Sequence, residues 1–337
     1  MTEEVYLGID TSCYTTSLFF MDRQGRKVAE ARRILKVKPG VCGLQQSEML
    51  YQHIRNLPEL MEETVKAHEF SLLGIGVSAK PRPREDSYMP AFLAGLGFAR
   101  SLSALYHIPF WQISHQENHL EAAVWSAQGP DADRFLFLHA SGGTTDLLLA
   151  GKHAGNYLLT EAGCSLDLHA GQFVDRAGVA LGLGFPAGSA LERLAAQHTE
   201  IIEIPVSVHK TEVSFSGPCT NVLRMIKKNK TEGQGVSATT EKQTEIIQDV
   251  FSANIAAGVQ WGLAETFVRM LRNGAAEHHV KDVILAGGVC ANRWIRNHIE
   301  EKLAKRQIRV WMPDNRYSSD NAAGCAAYAR RQGEQHG

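Results

Sequence analysis

Apolar residues along the chain alternate between short continuous runs and helically spaced sets, and this alternation predicts an α/β protein. The first segments, residues 5–11, 15–21 and 27–36, are expected to form a three-stranded meander. Residues 47–68 follow with apolar side chains at helical spacing, and a second meander is expected to begin near Phe135. Repetition of this order predicts mixed sheets that are flanked by helices.

Two turns of small and hydroxyl residues each connect a pair of these apolar strands. The first turn, Asp10–Ser12, follows Ile9, and the second is Ser141–Thr144. A turn of this composition presents backbone N–H groups to an anion without a bulky side chain in the way. Either turn alone is equally compatible with an ordinary buried hairpin, but the pair indicates a duplicated α/β domain with phosphate-binding turns on the two sides of a cleft.

Length and composition narrow the class of protein. A chain of 337 residues predicts two domains, an N-terminal lobe over 1–130, whose last helix is able to cross over, and a C-terminal lobe over 131–337 with helical insertions. The formal net charge of −1 gives no global sign of nucleic-acid binding, so an RNA partner would need a local basic surface. The six cysteines form no Cys-x-x-Cys pair, and neither a signal-peptide pattern nor a membrane-spanning apolar run is present. We therefore expect a cytoplasmic protein that does not enter a membrane.

His115 and His119 are the strongest candidates for metal ligands. Ser114 with Glu117 three residues later is a capping-box pattern, which predicts that a helix begins here. Histidines four residues apart on a helix lie on one face and are able to share a divalent ion. A third and harder ligand is needed, and Asp320, in a hydroxyl-rich turn before a helix, is the candidate carboxylate. The alternative is two partly exposed helix histidines and an aspartate that complements a helix dipole.

The second half of the chain also contains candidates for nucleotide binding. Residues 285–292 read as a strand, a Gly-Gly turn and the start of a helix, where a base or phosphate is able to approach the backbone. Asp175 precedes a loop rich in Pro and Gly that leads to a helix containing Glu192, a placement suited to accepting ribose hydroxyls. Alternatively, Asn292 only caps its helix and Asp175 faces solvent.

Two short basic clusters are candidates for phosphate contacts. They are residues 80–84 and 227–230, and either is also compatible with a solvated surface. The prolines of the first cluster are expected to hold it extended, and residues 227–236 are expected to form a surface loop.

Six motifs, in order along nearly the whole chain, resemble the TsaD (Gcp) family of tRNA threonylcarbamoyladenosine transferases. The motifs are Gly8–Cys13, His115–His119, Ser141–Gly143, Asp175–Gly188, Phe215–Gly217, and Gly287–Asn292 with Asp320–Ala322. The resemblance implies two duplicated ribonuclease-H-like domains of the actin-like ATPase superfamily. It also implies that threonylcarbamoyl-adenylate, ATP or AMP binds with a divalent metal, iron or zinc, in a cleft between the lobes.

The resemblance further assigns roles to individual residues. The metal ligands it implies are His115, His119 and Asp320. It implies ligand contacts at Ser141, Gly142, Gly143, Asp175, Gly188 and Asn292, to which we add Thr144, Glu192, Gly287 and Gly288. Asp10 and Ser12 are the candidate catalytic residues. In the implied reaction the metal polarises the adenylate, and the amine of a splayed-out tRNA adenosine attacks the carbamoyl carbon as AMP leaves. The implied partners are tRNA, TsaB-like or TsaE-like proteins, or a second copy of the chain.

Several charged positions of the family pattern are altered in this chain. The altered positions are Tyr14, Thr15, Thr144, Gln172 and Cys219. Because an oriented charge in a site contributes several kcal/mol of transition-state stabilisation, these losses favour an alternative function. The alternative is a catalytically altered paralogue that binds nucleotide, metal and tRNA or a partner protein in a regulatory or accessory role.

Overall fold

Two five-stranded sheets and one two-stranded sheet are present in the computed structural model, which describes residues 2–37, 44–233 and 241–336. The strands are β1 (Glu3–Asp10), β2 (Thr15–Asp22), β3 (Lys27–Ile34), β4 (Phe70–Lys80), β5 (Phe110–Ser114), β6 (Arg134–Ala140), β7 (Thr145–His153), β8 (Asn156–Cys164), β9 (Ser207–His209), β10 (Glu212–Ser214), β11 (Asp282–Ala286) and β12 (Arg309–Trp311). The first sheet has the order β3-β2-β1-β4-β5 and the second β12-β11-β6-β7-β8. β1 and β6 occupy equivalent places, since each pairs antiparallel with the next strand and parallel with a later one. The expected repeated α/β fold with mixed sheets is confirmed.

Helices cover these sheets, and most of them follow the predicted pattern. The α-helices in the described part of the chain are α1 (Gln46–Ala67), α2 (Phe92–Tyr106), α3 (His115–Ala127), α4 (Ala170–Ala180), α5 (Gly188–Ala195), α6 (Ser216–Gly233), α7 (Glu241–His278), α8 (Arg293–Ala304) and α9 (Ala323–His336). α1 confirms the helix expected at 47–68. The surface loop expected at 227–236 is wrong as far as Gly233, because α6 continues to that residue, and residues 234–236 lie outside the described residues.

The central strands are apolar along almost their whole length because both of their faces are covered. In β1 every residue from Val5 to Asp10 is buried, and in β6 every residue from Phe135 to Ala140 is buried. A strand that is exposed on one face would show alternating apolar and polar residues instead. The continuous runs seen in the sequence are therefore the central strands of the two sheets.

The last helix, α9, packs very closely on the first sheet. A Cβ at Gly8 would lie 2.1 Å from the carbonyl oxygen of Ala322, and a Cβ at Gly76 would lie 2.0 Å from that of Cys325. Glycine is required in β1 and β4 because only a residue without a side chain permits this approach. The fold thereby brings the C-terminal residues against the strand that ends at Asp10.

The described chain forms two compact units, and their boundaries differ from the predicted lobes. The first unit runs to Asp131 and also includes Lys152–Leu159 and the segment from Pro313. The second unit comprises Ala132–Gly151 and Thr160–Met312. The expected lobe over 131–337 therefore loses its C-terminal segment to the first unit, because α9 packs on β1, β4 and α3. Periodicity identifies a helix in the sequence but does not say which sheet it covers.

Three smaller expectations concern surfaces and cysteines. Lys80 ends β4 and residues 81–84 follow as a series of bends, in which the Arg84 N–H donates to the Arg82 carbonyl at 2.8 Å, so the expected extended conformation is wrong beyond Lys80. Within the described ranges, none of the helices combines the length and the apolar character that crossing a bilayer requires. Five of the six cysteines are free thiols, and Cys42 lies outside the described residues.

Candidate functional site

The first turn of α3 carries the two candidate histidine ligands, and its cap fixes their direction. Ser114 accepts the N–H of Glu117 at 3.2 Å, and the Glu117 carboxylate accepts the N–H of Ser114 at 2.7 Å. The predicted capping box is thus confirmed. Because α3 begins at His115, the rings of His115 and His119 lie one turn apart on one face, with centroids 4.4 Å apart.

The structure brings Asp320 to these two histidines. The Nε2 atoms of His115 and His119 are 3.1 Å apart, and the Asp320 Oδ1 atom lies 3.6 Å from each of them. In a triangle with edges of 3.1, 3.6 and 3.6 Å, the equidistant point is about 2.0 Å from every corner. Metal–nitrogen and metal–carboxylate bonds to zinc are about 2.0–2.2 Å long, so the three atoms fit one divalent ion. All three residues belong to the first unit.

Paired asparagine side chains hold the loop that carries Asp320. Asn118 of α3 donates to the Asn321 carbonyl at 2.6 Å and accepts the N–H of Cys325 at 2.9 Å. The Asn321 amide donates to the Ser319 carbonyl at 2.8 Å and accepts the N–H of Ala323 at 2.9 Å. The helix that supplies the histidines therefore also fixes the position of the carboxylate.

The candidate catalytic residue Asp10 lies behind His115. Its Oδ1 atom is 3.5 Å from the His115 Nδ1 atom, on the opposite side of the ring from Nε2. Ser12 donates to Asp10 at 2.8 Å, and the hydroxyl of Ser78 makes a further short hydrogen bond to it. Asp10, Ser12 and Ser78 are fully buried. A carboxylate behind a ligating histidine keeps a proton on the near nitrogen and leaves the far nitrogen for the metal.

The two histidines differ in pKa, although His119 is buried and His115 is largely buried. Burial would lower the pKa of His115, but the carboxylates of Asp10 and Asp320 outweigh this and the pKa is raised. Burial together with the charge on His115 lowers the pKa of His119. The cluster therefore favours positive charge on His115 beside the two carboxylates, a charge that a divalent ion would supply instead.

The second unit contains the predicted glycine turn between β6 and β7. The N–H of Ser141 donates to the Thr144 carbonyl at 2.8 Å, and its own carbonyl accepts the N–H of Gly171 at 3.0 Å. A Cβ at Gly171 would lie 2.6 Å from the Gly142 nitrogen, so α4 begins directly against the turn. Gly142 and Gly143 are exposed, and added Cβ atoms would meet nothing within 4 Å. The turn is thus supported from behind and open in front, as an anion site requires.

The Gly-Gly turn after β11 lies beside this first turn. β11 and β6 are parallel neighbours, with Ala286 paired to His139, so both strands end at the same edge of the sheet. Gly287 has a φ of +97° and a Cβ there would lie 2.2 Å from the Ala140 carbonyl oxygen. Gly288 is exposed next to it. The two glycine turns therefore form one continuous surface of the second unit.

Asp175 holds the start of α5. Its Oδ1 atom accepts the N–H of Ala187 at 2.8 Å, one residue before Gly188 begins the helix. Burial raises the pKa of Asp175, while the hydrogen bond from Ala187 opposes the rise. Gly188 is exposed, with open space where a side chain would be.

Glu192 and Asn292 both have structural partners. A carboxylate oxygen of Glu192 accepts the N–H of Arg293 at 2.8 Å, which ties α5 to the start of α8. The Oδ1 atom of Asn292 accepts the N–H of Ile295 at 3.0 Å and caps α8. Because its Oδ1 atom is used by the cap, Asn292 has its Nδ2 donor left for a ligand. The Glu192 carboxylate connects α5 to α8.

Asp167, also in this unit, was not among the predicted site residues. It accepts the N–H of Phe215 at 2.9 Å and the hydroxyl groups of Ser214 and Ser216. These hydrogen bonds hold the pKa of Asp167 well below its usual range despite the opposing effect of burial. Asp167 thereby fixes the Phe215–Gly217 motif. No local spacing in the sequence indicates this role, because Asp167 and Phe215 are far apart in the chain.

Comparisons with known proteins agree with the motif order. A sequence model of the TsaD family, described as tRNA N6-adenosine threonylcarbamoyltransferase, matches residues 38–327. The tRNA N6-adenosine threonylcarbamoyltransferase of Crocosphaera subtropica is 30% identical, over 95% of this chain and 90% of that protein. The protein of the same name from Albidiferax ferrireducens is also 30% identical, over 96% of this chain and 90% of its own length.

Solved structures support the fold at lower identity. Component A of (R)-2-hydroxyglutaryl-CoA dehydratase from Acidaminococcus fermentans has a TM-score of 0.53 at 17% identity, over 98% of this chain and 100% of that chain. A ROK family glucokinase from Streptomyces griseus has a TM-score of 0.51 at 12% identity, over 97% of this chain and 99% of that chain. These neighbours confirm the expected actin-like ATPase fold and show nothing beyond it. The family match covers the histidine pair, the glycine turns and Asp320. The chain belongs to the TsaD family of tRNA N6-adenosine threonylcarbamoyltransferases.

Proposed function

We propose that this protein transfers a threonylcarbamoyl group from threonylcarbamoyl-adenylate to an adenosine of tRNA, with a divalent metal bound by His115, His119 and Asp320. The observation that carries the proposal is the triangle of ligand atoms, whose edges of 3.1, 3.6 and 3.6 Å fit one ion in a chain of this family. In the reaction the adenosine amine forms a bond to the carbamoyl carbon, the bond from that carbon to the phosphate oxygen breaks, and AMP and a proton leave.

The residues of the first unit prepare the metal site. Two imidazoles and one carboxylate suit zinc or ferrous iron, and a bound ion would act as a Lewis acid on a substrate oxygen. Asp10 orients His115, and Ser12 and Ser78 orient Asp10 in turn. In this proposal Asp10 and Ser12 are therefore positioning residues. They fix which nitrogen of His115 carries the proton and which one is left for the metal before any ligand binds.

The residues of the second unit are proposed to hold the nucleotide. The open turn Ser141–Gly143 offers backbone N–H groups to a phosphate, and Gly287 and Gly288 allow the ligand to approach the neighbouring backbone. Asp175 would accept a ribose hydroxyl with the oxygen that does not bind Ala187. ATP, AMP and threonylcarbamoyl-adenylate share these phosphate and ribose groups.

The direct test is to supply threonylcarbamoyl-adenylate and an unmodified tRNA transcript to the purified protein. We expect metal-dependent formation of threonylcarbamoyladenosine, measured by mass spectrometry of the digested tRNA. The control is the His115→Ala, His119→Ala variant, which should lose bound metal and product together. Product formation that is unaffected by this variant would contradict the proposed site.

A second function, that of a catalytically altered paralogue, is favoured by two specific side chains. Cys219 is 2% exposed within the core, at a position where the family motif has a lysine, so the family's cation is absent there. Gln172 accepts the N–H of His169 at 3.2 Å and serves the start of α4, at a position where the family has a glutamate. Metal and nucleotide binding without product in the same assay would select this alternative.

A further inference from the structure

A groove on the second unit is lined by basic side chains from two helices. α7 contributes Arg269 and Arg272, α8 contributes Lys302, and Lys305 and Arg306 follow directly after the end of α8. All five residues are exposed. Because the chain as a whole has a formal net charge of −1, this concentration of cations is a local property of the groove.

Acidic neighbours neutralise only part of this charge. Glu265 contacts the His298 Nε2 atom at 2.7 Å and the Lys302 Nζ atom at 3.6 Å. Glu301 pairs with Lys305 at 2.8 Å. These two carboxylates account for the two lysines of the groove and for none of its arginines.

The three arginines carry the remaining charge. Among the residues that the structure describes, Arg269, Arg272 and Arg306 form no ion pair. A cation just beyond the end of a helix is explained by the helix dipole, which accounts for Arg306 after α8. It does not account for Arg269 and Arg272, which lie one turn apart and before the last turn of α7. α7 and the segment just after α8 therefore bring three guanidinium groups without an ion pair among the described residues to one groove.

The floor of the groove argues against a protein partner. Val268 is 8% exposed and Leu303 is fully buried, so the groove presents charged head groups rather than apolar surface. Protein–protein interfaces have aromatic residues and arginine at their centre and are depleted of lysine, whereas phosphate backbones are contacted mainly by arginine and lysine together. The charged side chains of the groove therefore suit the phosphate backbone of a nucleic acid.

We propose that this groove binds the phosphate backbone of the tRNA substrate. The inference rests on the proposed function and adds to it a second surface of the second unit. α8 begins beside Asn292 and is about 18 Å long at 1.5 Å per residue, so the groove at its other end is remote from the nucleotide-binding turns. It would hold the body of the RNA rather than the reacting adenosine. Guanidinium groups suit this role because they bind phosphate oxygens in pairs.

The test compares tRNA binding by two variants of equal net charge. The groove variant is Arg269→Ala, Arg272→Ala, Arg306→Ala. The control is Lys36→Ala, Lys66→Ala, Arg100→Ala, three exposed cations of the first unit that form no ion pair among the described residues. Affinity for an unmodified tRNA transcript is measured by fluorescence anisotropy over a series of KCl concentrations. We expect the groove variant to bind roughly 10- to 100-fold more weakly, with the slope of log affinity against log salt reduced by about three. The control should bind as the wild type does.

Three further measurements decide between explanations. ATP affinity should be unchanged in the groove variant, since a loss would mean that the groove binds free nucleotide instead of RNA. Lysine at all three positions should restore most of the affinity, which separates charge from packing. Equal tRNA binding by the groove variant and the wild type, or equal weakening of the control, would overturn the inference.

The outcome also distinguishes this inference from the proposed function. Weakened tRNA binding by the groove variant, in a protein that forms no threonylcarbamoyladenosine, would support the groove and reject the transferase. Product formation together with unchanged tRNA affinity in the groove variant would support the transferase and reject the groove. A wild-type protein that does not bind tRNA at all would reject both.

Discussion

The contact between Asp10 and His115 would orient the proposed metal ligand before a metal binds. The Asp10 carboxylate is fully buried, receives hydrogen bonds from two serine hydroxyls, and lies 3.5 Å from the Nδ1 atom of His115. A buried carboxylate with these partners has one orientation, and it holds the imidazole in the tautomer that presents Nε2 to the site.

Replacement of the Asp10 carboxylate should weaken metal binding more than it lowers the stability of the fold. We expect Asp10→Asn to raise the dissociation constant for zinc by roughly 10- to 100-fold, because the amide keeps the shape of the carboxylate but loses its charge. The measurement is competition with a chromogenic chelator, with cobalt substitution to report the ligand geometry by its visible spectrum. Asp22→Asn, a change at a half-buried residue that pairs with Arg26 on the surface, is the control and should leave zinc affinity unaltered. Equal zinc affinity of Asp10→Asn and the wild type would show that Asp10 does not orient the ligand.

At this scale the sequence predicted the ligand types but not the partners behind them. Spacing on a helix identifies His115 and His119, since residues four apart always share a face. The role of Ser78 depends on the parallel pairing of β4 with β1, which no local pattern reveals. Glu192 was predicted to bind a ligand, yet its hydrogen bond to the Arg293 N–H exists only because α5 and α8 meet in the fold.

Among the structural elements, α4 and the Ser141–Gly143 turn depend on each other. The start of α4 touches the turn through Gly171, where an added Cβ would lie 2.6 Å from both the Ser141 carbonyl oxygen and the Gly142 nitrogen. Both neighbours are backbone atoms, which have no rotamer by which to move aside. A side chain at position 171 must therefore displace either the helix or the turn.

The change Gly171→Ala should consequently lower both stability and nucleotide affinity. We expect a loss of about 1–3 kcal/mol in the free energy of unfolding, the usual cost of overpacking, together with weaker ATP binding. Urea unfolding and isothermal titration calorimetry with ATP provide the two measurements. The control is Gly97→Ala in α2, where a Cβ meets nothing within 4 Å and the higher helix propensity of alanine should stabilise the protein slightly. Normal ATP affinity in Gly171→Ala would remove the turn from the nucleotide site.

Elements were more predictable than their arrangement. β1 and β6 are visible as continuous apolar runs, and α3 is announced by its capping box, because both signals are local. The order of strands in each sheet is set by pairing between distant segments, so sequence periodicity could not give it. Residues 227–236 were predicted to form a surface loop because they are polar, although an exposed helix accepts the same residues and α6 continues to Gly233.

For the whole molecule, the important feature is that the chain leaves the first unit and returns to it. The segment from Pro313 joins the first unit through α9, which packs on β1, β4 and α3. His115 and Asp320, which are far apart in sequence, therefore lie in one unit. A metal held by both would link the C-terminal segment to the N-terminal sheet. Because a ligand that binds only the native state stabilises that state, the metal would stabilise the contact between these two parts.

Metal binding should therefore protect both α3 and the C-terminal helix α9 from hydrogen exchange. We expect zinc, added to chelator-treated protein at 100 times its dissociation constant, to stabilise the folded state by about 2.7 kcal/mol. Amide exchange followed by mass spectrometry should slow in peptides from α3 and from α9, whereas peptides from β6 in the second unit serve as the internal reference. The His115→Ala, His119→Ala variant should show no response to zinc, which excludes an effect of zinc elsewhere. Slower exchange in α3 without any change in α9 would mean that Asp320 is not a ligand, because among the described residues only that carboxylate connects the C-terminal segment to the proposed ion.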